Sequence, residues 1–157
     1  MSSDGLHVRP FTHDEVEAVW EFMRALAVFE GYIDAFAVTP YDLRLHGLGA
    51  APAFGVFVAA KGETLAGIAV HYRIPWTYDL KPVVVLKELY VRESFRGQGV
   101  GQALFAQLRA HAVGIGASAL RWAVLPNNAA AQRFYAGQGG ARDADWQHWT
   151  LPLQTRI

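Results

Sequence analysis

A glycine-rich run near the middle of the chain has the residue types and spacing of an anion-binding turn. It lies between an apolar extended segment and an alanine-rich helical segment, and it consists of Arg96, Gly97, Gln98, Gly99, Val100 and Gly101. Glycines let backbone N–H groups approach a ligand closely, and the first N–H groups of a helix are free to bind an anion. The guanidinium of Arg96 matches phosphate oxygens. The run therefore predicts a turn that holds a pyrophosphate.

Two other interpretations of this run are a glycine-rich turn without a ligand and a dinucleotide-binding fingerprint. The fingerprint needs a third glycine, but counting from Gly97 or Gly99 reaches Gln102 or Leu104 instead. No acidic residue follows at the spacing that would hold a ribose. The dinucleotide interpretation is therefore poor, whereas the run alone leaves an unliganded turn open.

Residues for covalent or metal chemistry are scarce. The chain has no cysteine, and the segment 116–119 lacks the pattern of a nucleophile elbow, so a covalent enzyme intermediate has no evident nucleophile. The six histidines show no metal-ligand spacing, so no metal is expected. His71 and His148 could relay protons, but lone histidines in strand patterns are more often structural.

The composition fits a single domain over residues 1–157. An apolar fraction of 52% is enough for a core. With 14 basic and 14 acidic side chains, neither nucleic acid nor an anionic membrane is expected as a partner. Residues 1–5, expected to be a flexible terminus, lack the pattern of a signal peptide, and no apolar run reaches membrane-spanning length. We therefore expect a soluble, cytoplasmic protein.

The elements that must position the glycine run alternate between apolar extended segments and amphipathic helices. Strands are predicted at residues 6–9, 54–60, 64–72, 83–91, 118–124 and 146–151. Helices are predicted at residues 13–29, 39–45, 100–113 and 127–137, the first two with capping signals at Thr12 and Thr39. The helix after the glycine run is expected to bury Val100, Leu104, Phe105, Leu108 and Ala112. This order predicts an α/β fold with helices on a mixed sheet.

The glycine run also matches the central signature of the Gcn5-related N-acetyltransferase (GNAT) superfamily. That signature is Gln or Arg, two residues, Gly, one residue, and then Gly or Ala, as in residues 96–101. A second match covers residues 128–135 and is followed by Gly139. Residues 26–30 and the region of Trp146 are similar to the diamine acetyltransferases of the spermidine/spermine type. The chain resembles these enzymes over nearly its whole length.

The resemblance implies a mixed, mostly antiparallel central sheet with helices on both faces and a splayed central strand. It implies acetyl-CoA as cosubstrate, whose pantetheine arm pairs with the central strand and whose pyrophosphate lies on the glycine run. The residues expected to bind acetyl-CoA are Leu89, Tyr90, Val91, Arg96, Gly97, Gln98, Gly99, Val100, Gly101, Gln102, Asn128 and Ala131. The implied activity is direct acetyl transfer to the primary amine of a small molecule, either a polyamine or a lysine-like amine.

Two catalytic residues are expected from the same resemblance. The Tyr135 hydroxyl would donate a proton to the coenzyme A thiolate, although its spacing alone is more typical of an aromatic on the buried face of a helix. Diamine acetyltransferases carry a glutamate nine residues before the arginine of the loop, but Lys87 occupies that position here. The nearest acid is Glu88. Because adjacent strand residues face opposite sides, Glu88 serves as the general base only if a bulge shifts the register.

Substrate and partner expectations rest on weaker patterns. Phe29 and Glu30 match an aromatic-acid pair of the family that suits a cationic amine, whereas Asp34 and Asp79 are more often solvated acids. The aromatic segment 74–78 indicates a closed site or a dimer contact, and a homodimer is expected. Two other functions stay open: a noncatalytic acyl-CoA sensor, and acetylation of a protein amino terminus or lysine.

Overall fold

The computed structural model describes residues 5–153, which form two compact units, one ending at Ala123 and the other beginning at Val124. The flexible terminus expected over residues 1–5 lies outside this range except for Gly5. The first unit contains the sheet and three α-helices, and the second contains one α-helix followed by a segment without regular secondary structure. No helix among residues 5–153 is both long enough and apolar enough to cross a membrane.

One five-stranded sheet organises the first unit. The strands are β1 (Leu6–Pro10), β2 (Gly55–Lys61), β3 (Thr64–Pro75), β4 (Pro82–Val91) and β5 (Ala119–Arg121). Their order in the sheet follows the sequence; the first four are antiparallel, and β5 runs parallel to β4. Short turns suffice for the antiparallel pairs, while the parallel pair needs a crossover helix. The predicted mixed, mostly antiparallel sheet is confirmed.

Four α-helices accompany the strands in the predicted order. They are α1 (Val16–Glu30), α2 (Pro40–Gly47), α3 (Val100–Gly114) and, in the second unit, α4 (Ala129–Gly137). A single 3-10 turn, His13–Glu15, precedes α1, and the Glu15 carboxylate accepts a hydrogen bond from the Thr12 N–H at 3.0 Å. At α2, the Thr39 hydroxyl accepts from the Asp42 N–H at 3.2 Å. Both predicted helix starts are therefore confirmed.

Helices cover both faces of the sheet in the first unit. Side chains of β2 alternate between the faces, so that Val56 and Val58 join a buried cluster with Val16 and Val19 of α1. Phe57 lies on the opposite face, with its ring 5.7 Å from that of His111 on α3. The predicted buried face of α3 is confirmed in full, with Val100, Leu104, Phe105, Leu108 and Ala112 all buried.

The carboxy-terminal part departs from prediction. Residues 146–151, predicted as a strand, have no regular secondary structure, and Trp146 and Trp149 are 75% and 89% exposed. A segment rich in aromatic residues forms a strand only where a neighbouring strand and a buried face stabilise it. The strand predicted at 118–124 is shorter, Ala119–Arg121, and the helix predicted at 127–137 begins at Ala129 because Asn128 caps it.

The close approach of β3 to β4 depends on Gly67, and a substitution at this position tests that dependence. A Cβ added at Gly67 would lie 2.6 Å from the Tyr90 carbonyl oxygen. We expect Gly67→Ala to lower the free energy of unfolding by about 1–3 kcal/mol, because the backbones must separate. Urea denaturation measures this change.

The matched control is Gly114→Ala at the end of α3. A Cβ there would meet no atom within 4 Å. Alanine is favoured over glycine in a helix, so the free energy of unfolding should stay the same or rise by about 0.5–1 kcal/mol. Equal losses in both variants would contradict the role assigned to Gly67.

Candidate active site

Strand β4 has a neighbour on both sides only at its start. It pairs with β5 over Val83–Val85, whereas its pairing with β3 continues to Val91. Within residues 5–123, the β5-side edge of Leu86–Val91 therefore lacks a strand partner. Unpaired backbone groups on such an edge can pair with an extended ligand that carries amides. This geometry matches the splayed central strand expected from the sequence and includes the predicted Leu89 and Tyr90.

The glycine run follows the end of β4 and leads into α3. Gly97 and Gly99 have φ angles of 76° and 81°, in the left-handed region where glycine is favoured. A Cβ at either position would meet no atom within 4 Å, so the space above the loop is open. No side chain caps α3 at Gly99. The first N–H groups of that 15-residue helix, at Val100, Gly101 and Gln102, thus suit an anion, and the loop fits a pyrophosphate.

Side chains hold this loop against the strands. The Arg96 Nε donates to the Val91 carbonyl at 2.9 Å, and the guanidinium lies 5.6 Å from the centre of the Tyr90 ring. Gln98 accepts a hydrogen bond from the Lys61 ammonium at 3.4 Å. Arg96 therefore fixes the loop to the end of β4, and Val91 has its carbonyl engaged. Lys61 adds a cation beside the loop that no sequence pattern indicated.

A β-bulge in β4 fulfils the condition set for Glu88. In the β3–β4 register, Val70 pairs with Glu88 and His71 pairs with Leu86, so Lys87 is an extra residue. Glu88 consequently lies on the sheet face that carries Val70, which belongs to the cluster under α1. Glu88 can take the place of the family glutamate only if a bulge precedes it, and the structure contains that bulge.

The Glu88 carboxylate has a specific hydrogen-bond donor. The Tyr32 hydroxyl donates to Glu88 Oε1 at 3.1 Å. Burial raises the pKa of Glu88 above its ordinary range, Glu30 adds to that rise, and Lys87 and the Tyr32 bond oppose it. Glu88 is thus a partly desolvated acid whose proton affinity is shifted toward neutral pH.

Tyr32 is the residue that sequence reasoning missed. Gly31 ends α1 with a φ of 85°, and the Tyr32 N–H donates to the Ala27 carbonyl at 2.9 Å. This glycine cap reverses the chain and brings Tyr32 toward β4. Burial, followed by the charges of Glu88 and Glu30, raises the pKa of the Tyr32 phenol, so it stays a donor. The Glu30–Gly31 pair at the predicted helix end was the signal that could have indicated the reversal.

The structure brings Glu30 to the same place. Burial raises its pKa and the Lys87 ammonium opposes that rise, while the neighbouring Phe29 is 66% exposed. The Lys87 Nζ lies 6.0 Å from the centre of the Tyr32 ring. We refer to Glu30, Tyr32, Lys87 and Glu88 as the carboxylate cluster. It offers two acids to a cationic amine, one of them hydrogen-bonded and placed to accept a proton.

The other acids and histidines considered lie elsewhere. Asp34 is exposed, and Asp79 accepts a hydrogen bond from the Lys81 N–H at 3.0 Å within a turn. His71 is buried on the α3 face of the sheet, opposite Glu88, and its ring stacks on Phe57 at 4.8 Å. It is therefore a structural group, as the sequence favoured. Among residues 5–153, no group of three or more acids and histidines could hold a metal ion.

The second unit contains the remaining predicted site residues. The Asn128 Oδ1 accepts a hydrogen bond from the Ala131 N–H at 3.0 Å, which caps α4. Tyr135 follows in the last turns of that helix, with its ring 5.2 Å from the ring of Phe134. His148 is exposed in the segment without regular secondary structure that follows α4. The capping role considered for Asn128 is thus present.

Comparison with known sequences relates this chain to acetyltransferases. A family model described as the acetyltransferase (GNAT) family matches residues 17–139. The human spermidine/spermine N(1)-acetyltransferase-like protein 1 is 24% identical over 96% of this chain, which spans 22% of that protein's length. The thialysine N-epsilon-acetyltransferase of Sus scrofa is 30% identical over 80% of this chain and 77% of its own length.

Solved structures show the same fold. An aminoglycoside acetyltransferase from an uncultured soil metagenomic sample, in complex with trehalose, superposes with a TM-score of 0.79 and 17% identity. That match covers 96% of this chain and 97% of the other. A probable acetyltransferase gives a TM-score of 0.79 with 22% identity, covering 96% and 99% of the two chains. At these identities the likeness establishes the fold.

Removing the Tyr32 hydroxyl should change the titration of Glu88. The hydrogen bond favours the charged carboxylate, so we expect Tyr32→Phe to raise the pKa of Glu88 further. Carbon NMR of labelled glutamate side chains measures the shift. The control is Tyr41→Phe on the exposed face of α2, which should leave the Glu88 titration in place; an unchanged Glu88 pKa in Tyr32→Phe would contradict the assignment.

His71 should make the fold sensitive to acid. Burial and, secondarily, the nearby His111 lower the pKa of His71 to about 4. In the unfolded chain an ordinary histidine titrates near about 6.5. Between these values only the unfolded state binds the proton, so stability falls as the pH decreases, by at most about 1.4 kcal/mol per pH unit.

Urea denaturation at several pH values, with His71→Phe as comparison, isolates this contribution. The phenylalanine variant should show a shallower loss of stability between pH values of about 6.5 and about 4. Above that window the pH dependence of the two proteins should coincide. Identical slopes within the window would mean that His71 does not titrate as its burial indicates.

Proposed function

The chain belongs to the acetyltransferase (GNAT) family and is an N-acetyltransferase, and we propose that it transfers an acetyl group from acetyl-CoA directly to the primary amine of a small molecule. The family uses acetyl-CoA as its cosubstrate in general. Bound acetyl-CoA supplies a thioester whose carbonyl carbon accepts the amine nitrogen. The residues of this chain must then bind the thioester, deprotonate the amine and protonate the leaving thiolate.

The observation that carries the proposal is the position of the carboxylate cluster beside β4. In the described part of the first unit, the edge of this strand that does not pair with β3 lacks a strand partner over its second half. The β5-side edge of β4 is unpaired at Leu89 and Tyr90 within residues 5–123, and the strand ends at the loop of Gly97 and Gly99. An extended arm can pair with the edge while its pyrophosphate lies on the first N–H groups of α3. Glu88, between Lys87 and Leu89, is on this same stretch of strand.

Glu88 is the proposed proton acceptor. An alkylammonium has a pKa near about 10, so the amine must lose a proton before its nitrogen can attack. Burial raises the pKa of Glu88, which brings its proton affinity nearer to the operating pH and makes it a better base. Tyr32 orients the carboxylate through its 3.1 Å hydrogen bond, and Glu30 adds attraction for the incoming cation.

Tyr135 is the proposed proton donor, as the family resemblance implies. When the new C–N bond forms and the C–S bond breaks, the thiolate needs a proton, which a phenol of pKa near about 10 can supply late in the reaction. Asn128 and Ala131 are proposed to contact the acetyl-CoA arm at the start of α4. The Asn128 side chain would combine that contact with its capping bond.

The acceptor is proposed to be a polyamine or a lysine-like amine. Two relatives are named for spermidine/spermine and for thialysine, both of which carry primary amines. Phe29 and Glu30 at the end of α1 are the proposed acceptor contacts, because an exposed aromatic ring and a carboxylate together suit an alkylammonium.

A homodimer is proposed from the turn between β3 and β4. Tyr78 and Leu80 in this turn are 85% and 86% exposed, and the Arg121 guanidinium lies 4.4 Å from the centre of the neighbouring Trp76 ring. An exposed group of large apolar side chains is typical of a protein contact surface. A second copy of this chain is the partner that the family resemblance implies.

A thiol-release assay with acetyl-CoA tests the proposed function. The acceptors are polyamines, lysine analogues, aminoglycosides and short peptides. We expect turnover on at least one small amine, and a fall in kcat/KM of about 100-fold or more in both Glu88→Gln and Tyr135→Phe, since each removes a proton-transfer group. Calorimetry with coenzyme A measures binding in parallel.

The combination of readouts separates the alternatives. Binding of coenzyme A without turnover on any acceptor would contradict catalysis and favour a noncatalytic acyl-CoA sensor. Turnover on peptides alone would favour a protein acetyltransferase. Undiminished turnover in Glu88→Gln would keep the activity but remove Glu88 from the mechanism.

A further inference from the structure

Lys87 places a cation among the acids that would receive the acceptor amine. Regular alternation along β4 would direct residues 87 and 88 to opposite faces of the sheet. The bulge inserts Lys87 as an extra residue, and its ammonium lies 6.0 Å from the centre of the Tyr32 ring. The hydroxyl of that same ring donates to Glu88. The ammonium and the carboxylate therefore share one face and one neighbour.

The ammonium acts on both acids without being tied to either. It opposes the rise in pKa of Glu30 and of Glu88, which means that it favours the charged form of each carboxylate. Lys87 is nevertheless exposed, and among residues 5–153 no carboxylate lies within ion-pair distance of its Nζ. Its three N–H donors are therefore open to a ligand.

A second cation stands close to this face. The Arg92 guanidinium lies 5.2 Å from the centre of the Phe22 ring, and the Phe22 ring lies 5.6 Å from that of Tyr90 on β4. Lys87 is the cation that acts on Glu30 and Glu88, since Arg92 is not among the charges that shift the pKa of either acid. A diamine would bring two positive charges to a site where the Lys87 ammonium is already present, and like charges at short range repel.

We propose that Lys87 determines acceptor specificity, by binding a carboxylate on the acceptor and disfavouring diamines, a role that rests on the proposed transfer to a small amine. The acceptor class is a primary amine that also carries a carboxylate a short alkyl chain away. Its ammonium lies at Glu30 and Glu88, and its carboxylate accepts hydrogen bonds from the Lys87 ammonium. Specificity then combines an attraction for one acceptor with a repulsion against the other.

Three acceptors of matched chain length test this role. Cadaverine is lysine without its carboxylate, and pentylamine is cadaverine without its second amine. Thiol release gives kcat/KM for each acceptor with the unmodified protein, Lys87→Gln and Lys87→Glu. Pentylamine is the reference, because it carries only the amine that is acetylated. Ratios to pentylamine cancel any general effect of the substitution on Glu88 or on folding.

The preference for lysine over cadaverine is expected to decrease stepwise and then reverse across the three proteins. The unmodified protein should favour lysine over cadaverine, Lys87→Gln should weaken that preference, and Lys87→Glu should reverse it. Each step should change the lysine-to-cadaverine ratio by about tenfold, the factor that corresponds to about 1.4 kcal/mol. The reversal should shrink at high salt, because the interaction is electrostatic and partly exposed.

The matched control is Lys81→Glu, which makes the same charge change six residues earlier. At about 3.3 Å per strand residue it is about 20 Å away, beyond the screening length of about 8 Å at physiological salt. Its acceptor ratios should equal those of the unmodified protein. Unchanged ratios in Lys87→Glu, or a change of equal size in Lys81→Glu, would overturn the role of Lys87 while the transferase function stands. No turnover of any of the three amines would also overturn the role of Lys87, whereas the transferase function is overturned only if the wider acceptor panel gives no turnover either.

Discussion

Strand β4 has two neighbouring strands at its beginning and only one at its end, and the candidate site depends on this asymmetry. Backbone N–H and C=O groups need partners, so a strand that loses its neighbour must meet water or a ligand. Pairing with β5 ends at Val85, and the bulge at Lys87 follows two residues later. A bulge bends its strand and increases the local twist. The edge opens where the chemistry is proposed.

The same bulge divides the polar groups between the two faces of the sheet. Leu86 pairs with His71 on the face covered by α3, whereas Glu88 pairs with Val70 on the face covered by α1. The histidine therefore becomes a buried structural group, with a lowered pKa, and the glutamate becomes a partly desolvated acid beside Tyr32. Without the extra residue, residues 86 and 88 would share a face, and this separation would be lost.

Features that depend on local periodicity could be predicted from the sequence, and features that depend on pairing could not. The buried face of α3 and the cap at Thr39 are properties of one segment, and both are confirmed. The bulge at Lys87 is a shift in the pairing of β3 with β4, so the sequence of one strand could not predict whether it is present. Tyr32 follows the end of α1 and Glu88 lies on β4, so the two are far apart in the sequence and no sequence spacing indicates their hydrogen bond. The predicted strand 146–151 is wrong because its aromatic residues favour a strand without specifying the neighbouring strand that would have to pair with it.

Lys87 and burial act on Glu88 in opposite directions, and their balance suits a general base. Burial alone would favour the protonated acid, which cannot accept a proton, whereas a strong ion pair would favour a carboxylate too weakly basic to help. The ammonium acts on Glu88 without reaching ion-pair distance, and the Tyr32 bond adds a second moderate stabilisation of the charged form. The net pKa is raised, which keeps the carboxylate basic. A lysine beside the acid thus has two consequences at once: it limits the rise in proton affinity, and it changes the charge that an acceptor meets.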